Sequence, residues 1–216
     1  MAIAFVQSAT NNGSTNTVTT AITSTAAHTL IVTGRWFDAN QTVTSPSVVT
    51  DTVPNTWQVS TAQAANPPSE FLAGNIGAFV AWVLAASAVT SVSVTIPATG
   101  TVFNEFTVSE WTGIGSETAG GIQADGSGAV DPFTATLTVP GSGLMVAASD
   151  QVAAPGAGPP GTTVLTAASG SPYFAYQLTS GATTFTWGTA TSFTTAAAAF
   201  APPVTVPVLY SMRSFP

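Results

Sequence analysis

Apolar and polar residues alternate with a period of two along most of this chain, and the alternating runs are bounded by Gly, Pro, Asn or Ser. In residues 132–139, Phe133, Ala135, Leu137 and Val139 fall on one side and Thr134, Thr136 and Thr138 on the other, the pattern of an antiparallel strand buried on one face. Val92, Val94 and Ile96 repeat it against Ser91, Ser93 and Thr95. Residues 78–85 differ, because Val80, Trp82 and Leu84 oppose Phe79, Ala81 and Val83 and both faces are apolar. This predicts a central strand covered on two sides, with a neighbouring subunit as a candidate for the second cover. No stretch of useful length carries apolar residues at helical spacing. The expected fold class is all-β, a two-sheet antiparallel sandwich.

Residues 16–36 align without gaps on residues 131–151, at an offset of 115. The phase of the pleat is kept: Val18, Thr20 and Ile22 fall on Phe133, Ala135 and Leu137, and Leu30-Ile31-Val32 falls on Met145-Val146-Ala147. Residues 78–82 and 91–96 correspond more loosely to residues 173–176 and 183–187. An internal structural pseudo-repeat is one reading; coincidence in low-complexity β sequence is the other, and a sandwich accommodates both. Turn formers concentrate in residues 66–69, 113–128 and 153–161. The middle stretch is a candidate domain boundary. The first half, however, has only one strongly apolar strand, so a single sandwich domain over residues 1–203 is expected. Residues 204–216 (VTVPVLYSMRSFP) alternate but carry two prolines and read as an extended C-terminal arm outside the ladder.

Only 5% of residues are charged, and there is no lysine. The two arginines, Arg35 and Arg213, lie near opposite ends of the chain, so no basic stripe can neutralise several phosphates, and nucleic acid is excluded as a partner. The net charge of −7 comes from scattered acids and reads as a solubility device. No apolar run is long enough to span a bilayer, and the N-terminal residues lack a positively charged leader, so neither membrane insertion nor secretion is expected. The absence of cysteine rules out disulfides and thiolate metal sites and suits synthesis in a reducing cytoplasm.

The donor inventory for chemistry is nearly empty. His28 is the single histidine, so a zinc site or a Ser-His-Asp arrangement lacks its parts; it reads as a solvated loop residue. Glu105 and Glu110 are the nearest approach to a glycosidase pair, but an odd spacing puts them on opposite faces of one strand, Glu105 with Phe103 and Trp111, Glu110 with Phe106 and Val108. They read as solvated or strand-end acids. Residues 125–128 (DGSG) and Asp131-Pro132 are fragments of a calcium loop and read as turns. Of the five tryptophans, Trp82, Trp111 and Trp187 lie in strand patterns and read as core. Trp36 and Trp57 adjoin loops and are the candidates for exposed, sugar-stacking indoles. No catalytic, metal-ligating or cofactor-binding residue is expected, and no cofactor; the chain reads as a non-enzyme.

Residues 49–57 (VTDTVPNTW) resemble the D-T-x-G-N-T-W strand-turn-strand element of jelly-roll-like domains in tailed-bacteriophage structural proteins, with Pro54 where glycine is usual. Residues 106–114 (FTVSEWTGI) are similar to that family's strand ending in E-Y-x-G-L, and residues 173–202 to its closing strands ending in A-A-F-x-P. The resemblance spans residues 28–202. It implies a jelly-roll-like sandwich serving as a virion structural protein. The expected role is a capsid decoration or cement protein on the capsid exterior that binds the major capsid protein as a homo-oligomer, with a trimer favoured. The alternative it leaves open is a tail or fibre-associated carbohydrate or receptor-binding module. It carries over no catalytic residues.

Overall fold

The computed structural model describes residues 2–38, 43, 47–59, 76–130, 133–151, 162–165, 173–187 and 190–204. Along the first half run β1 (Ala4–Gly13), β2 (Thr17–Ala21), β3 (Thr29–Phe37), β4 (Val48–Asp51), β5 (Gln58–Val59), β6 (Ile76–Val83), β7 (Ser91–Thr95) and β8 (Phe103–Thr112). The second half adds β9 (Ser116–Val130), β10 (Phe133–Gln151), β11 (Thr163–Leu165), β12 (Phe174–Trp187) and β13 (Ala190–Ala201). Every pairing among them is antiparallel. The all-β antiparallel sandwich expected from the alternation is the fold.

In the first half, a sheet ordered β1-β8-β3-β6-β5 faces one ordered β2-β7-β4, jelly-roll-like except that β5 joins β6 and not β4. The outer sheet obeys the period of two. Val18, Val92, Val94 and Ile96 point inward, while Thr17, Thr19, Ser93 and Thr95 point outward and pair across strands, Thr17 with Thr95 at 2.9 Å and Thr19 with Ser93 at 2.7 Å. The inner residues meet Leu30, Val32, Trp36, Phe79, Phe106 and Val108 of the central sheet. Two glycines make room for its aromatics. Gly34 pairs with Phe79 and Gly77 with Trp36 across β3 and β6, and a Cβ on either would stand 2.2 Å from the facing ring.

A third layer covers the other face of the central sheet. Ile31, Ala78, Val80, Trp82 and Trp111 pack against Leu144, Val146, Phe174, Ala198 and Phe200 of the sheet β11-β12-β10-β13-β9. The second cover of β6 is therefore the chain's own second half, where the sequence pattern left room for a neighbouring subunit.

The two large sheets share one topology. Written from the edge, β1-β8-β3-β6-β5 and β9-β13-β10-β12-β11 each place the first of their five strands at the edge, followed by the fifth, second, fourth and third. The offset of 115 maps β2 and β3 onto the two ends of β10. The β2·β7 and β3·β6 pairings recur as two stretches of a single β10·β12 ladder, separated by a register shift between Val139 and Gly143. In the first half the same corner is opened. Residues 22–28 and 84–90 leave the strands, Ala27 and Ala85 take positive φ (65° and 47°), and the Ala27 and Ala86 N–H groups donate to the Ala86 and His28 carbonyls. The pseudo-repeat is structural.

Equivalent faces of the two repeats meet. Ile31 pairs with Trp82, and its equivalent Val146 pairs with Tyr176; Thr29 pairs with Trp111, and its equivalent Leu144 pairs with Phe200. Trp82 thus corresponds to Tyr176, and Trp111 to Phe200. Across the interface Trp82 meets Phe200 edge-on (5.8 Å, 81°) and Tyr176 meets Trp111 edge-on (4.8 Å, 82°). Reciprocal contacts of this kind define an isologous interface, here an approximate twofold within one chain.

One segment departs from the sequence reading. Of the turn-rich residues 113–128, only those up to Gly115 bridge the repeats, and β9 begins at Ser116 as an edge strand along β13. Gly113 adopts a φ of +73° with the Ala2 carbonyl against it, and Gly115 abuts the Pro203 backbone, so neither place accepts a side chain easily. Residues 66–69, 153–161 and the arm from residue 205 onward lie outside the described residues.

Candidate functional site

Three clusters gather the polar chemistry of the described residues. The first lies between the repeats. β3 pairs Arg35 directly with Glu105 of β8; Arg35 Nε donates to Glu105 Oε2 at 2.6 Å and Nη1 to Asp150 Oδ1 at 2.9 Å. The guanidinium also lies over the rings of Tyr173, 3.6 Å from its centroid, and Phe103, at 5.2 Å. Burial works against the charge on Arg35, but Asp150 and Glu105 outweigh it and raise its pKa further. Arg35 and Asp150 occupy equivalent positions of the two repeats, 115 residues apart. Equivalent positions of the two repeats thus carry opposite charges.

The second cluster ties the first strand to the jelly-roll corner. Glu110 is fully buried; its Oε1 accepts from the Thr25 N–H at 2.8 Å and contacts His28 Nδ1 at 2.6 Å, and its Oε2 accepts from Gln7 Nε2 at 2.5 Å. Burial pushes this carboxyl up, yet the hydrogen bonds from Gln7, Thr25 and His28 prevail and hold it below the ordinary glutamate value. A lowered folded-state pKa contributes stability that is present above about pH 4.3 and is lost as the pH falls through the folded value. The melting temperature of Glu110→Gln, compared with the parent from pH 3 to pH 7, is expected to lie furthest below it near neutrality and to converge with it in acid. A constant gap would mean that the carboxylate's charge plays no part.

The third cluster explains the strand-turn-strand element. Asp51 accepts from the Val53 N–H, from Asn55 Nδ2 and from Trp57 Nε1, while Asn55 Oδ1 accepts from the Ser87 N–H. The Asn55 N–H closes a three-residue turn on the Val53 carbonyl at 2.7 Å. Pro54 sits at the centre of that turn, where its fixed φ fits and no N–H is required. This knot joins the β4–β5 connection to the β6–β7 bend.

The structure corrects several readings of individual residues. Glu105 and Glu110 lie on opposite faces of β8, as their spacing requires, but both are buried and neither is a solvated acid. His28 is not a free loop residue; Glu110 holds it. Trp36 is 1% exposed, enclosed in the jelly-roll core, and Trp57 is half-buried with its indole N–H engaged. Trp82 and Trp111 are core, as read. Residues 125–127 are paired strand within β9 and not a turn, while Asp131-Pro132 lies outside the described residues. Among the described residues, no three His, Cys, Asp or Glu side chains lie close enough to share a metal ion.

Two clefts open at the rim of the interface between repeats. One, of about 650 Å³, is walled by Pro54, Thr56 and Gln58, by Trp82 and Leu84 at the end of β6, and by Glu117 at the start of β9. The other, of about 350 Å³, lies between Ile3, Gly143 and Leu178. They share one equivalent lining position, Leu84 in the first and Leu178 in the second, each two residues past Trp82 or Tyr176. Phe5 pairs with Trp111 and Glu117 with Phe200, so Phe5 and Glu117 correspond as well. Burial raises the Glu117 pKa, and its Oε1 is buried without a hydrogen-bond partner. Sequence reasoning missed Glu117 because its surroundings read as linker. No protein-family model, curated protein or solved structure matches the chain.

Proposed function

We propose that this chain is a non-enzymatic virion structural protein, a cement or decoration protein that binds the major capsid protein on the outside of a phage head shell. The observation that carries this reading is where the charge resides. Arg35, Glu105, Asp150, Glu110 and His28 are locked into interior or corner contacts, while the outer β2-β7-β4 face presents threonine and serine hydroxyls. Such a face is suited to protein-protein burial, and the buried charges are engaged with one another. The resemblance of residues 28–202 to phage jelly-roll domains points the same way. Assembly as a small homo-oligomer, a trimer by preference, belongs to the proposal.

The purified protein is expected to co-sediment with empty, matured phage shells, saturating at a copy number that matches their local symmetry. A chain ending at Pro203 is expected to bind more weakly, because the proposal assigns the arm from residue 204 to contacts with neighbouring subunits. Binding to tails or host cells but not to shells would replace this reading with the receptor-binding alternative. Sugar stacking on that alternative has less to work with, since Trp36 is enclosed and the Trp57 indole N–H is engaged.

A further inference from the structure

The equivalent register positions Phe5 and Glu117 carry side chains of opposite character. Phe5 stacks on Tyr176 (6.0 Å, 8°) and meets Trp111 edge-on, so at that position an aromatic ring packs on its neighbours. At the equivalent place stands Glu117, which lines the wider cleft with Trp82; the residue is partly exposed, and its Oε1 is buried without a donor. Packing gives no reason for this, because an apolar residue serves the other copy. The wider cleft is also within the size range of sites that hold small groups, and it lies at an interface between structural units, where such sites concentrate.

We propose that the Glu117 cleft binds a primary ammonium group on an aliphatic stem, the chemistry of a lysine side chain presented by a partner protein. The chain contains no lysine, so a lysine side chain in this cleft comes from another protein. Pro54 and the exposed Leu84 supply an apolar wall for the stem. Glu117, with the oxygens of Thr56 and Gln58, supplies acceptors for the three N–H donors of an ammonium. A neutral sugar fits less well. Trp82 is only 5% exposed and presents no free indole face for a ring to stack on. The net charge of −7 favours the approach of a cation at low salt. This inference does not depend on the shell-binding proposal.

The test is an NMR titration of the ¹⁵N-labelled full chain with Nα-acetyl-lysine N-methylamide at low ionic strength. Its Nε-acetylated analogue and a methyl glucoside are the controls. Saturable shifts are expected at the Leu84, Ser116 and Glu117 amides and at the Trp82 indole, with a Kd on the order of millimolar for so small a probe. Nε-acetylation is expected to weaken binding about tenfold or more, and added salt to weaken it further. Glu117→Gln is expected to abolish the shifts and, by removing the charge from a carboxyl whose Oε1 is buried without a donor, to melt at a higher temperature than the parent at neutral pH. A folded Glu117→Gln protein that still binds, indifference to acetylation, shifts centred on Ile3 and Leu178, a response to the glucoside alone, or no response to any probe would each overturn the proposal.

Discussion

Arg35→Ala is expected to destabilise the protein by about 3–5 kcal/mol in urea unfolding, because it removes the cation that faces the buried Glu105 and Asp150 carboxylates. Both acids are essentially inaccessible to water, and lost hydration is the larger part of the cost. The triple variant Arg35→Met, Glu105→Leu, Asp150→Leu removes all three charges together and is expected to recover most of the loss, since apolar replacement of a whole buried network is often neutral or stabilising. Equal instability of the single and triple variants would show that the packing of the guanidinium on Tyr173 and Phe103 matters more than the charge. A loss below about 1 kcal/mol would place the cluster with surface ion pairs, in contact with water.

Gly34→Ala comes next, with an expected loss of about 1–3 kcal/mol from overpacking. A methyl group at residue 34 would stand 2.2 Å from Phe79 Cζ and 2.4 Å from Cε1. The ring has little room to retreat, because Phe79 is fully buried between the central sheet and the β2-β7-β4 layer. Gly34→Ala with Phe79→Leu is expected to lose less than the sum of the two single changes, the sign of a shared space. Strict additivity of the two losses would refute the steric account.

The alternation of residues 91–96 and the apolar density of residues 78–83 were enough to give the fold class, because a pleated backbone fixes which side chains share a face. The repeat was legible for a related reason. Residues 16–36 and 131–151 serve the same two stretches of ladder, so selection on burial keeps their phase even where residue identities differ. The layer count was not legible, since a strand apolar on both faces does not say whose surface covers it. Nor was the burial of Glu105, Glu110 and Asp150, because each acid is matched by a partner 70 or more residues away in sequence. Glu117 was hidden by composition. The glycines around β9 imitate a linker, and only pairing with β13 identifies the edge strand.

The bridge at Gly113–Gly115 has a consequence for how such an interface can exist at all. Two separate chains meeting face to face about a true twofold would place identical residues near the axis, two arginines or two aspartates, and would have to overcome the loss of independent motion at every encounter. Joined through three residues, the partners face each other at a local concentration on the order of millimolar, whatever the concentration of the protein. An opposite-charge pair such as Arg35 and Asp150 can then arise from a single position, and the association survives dilution that would dissociate a two-chain counterpart.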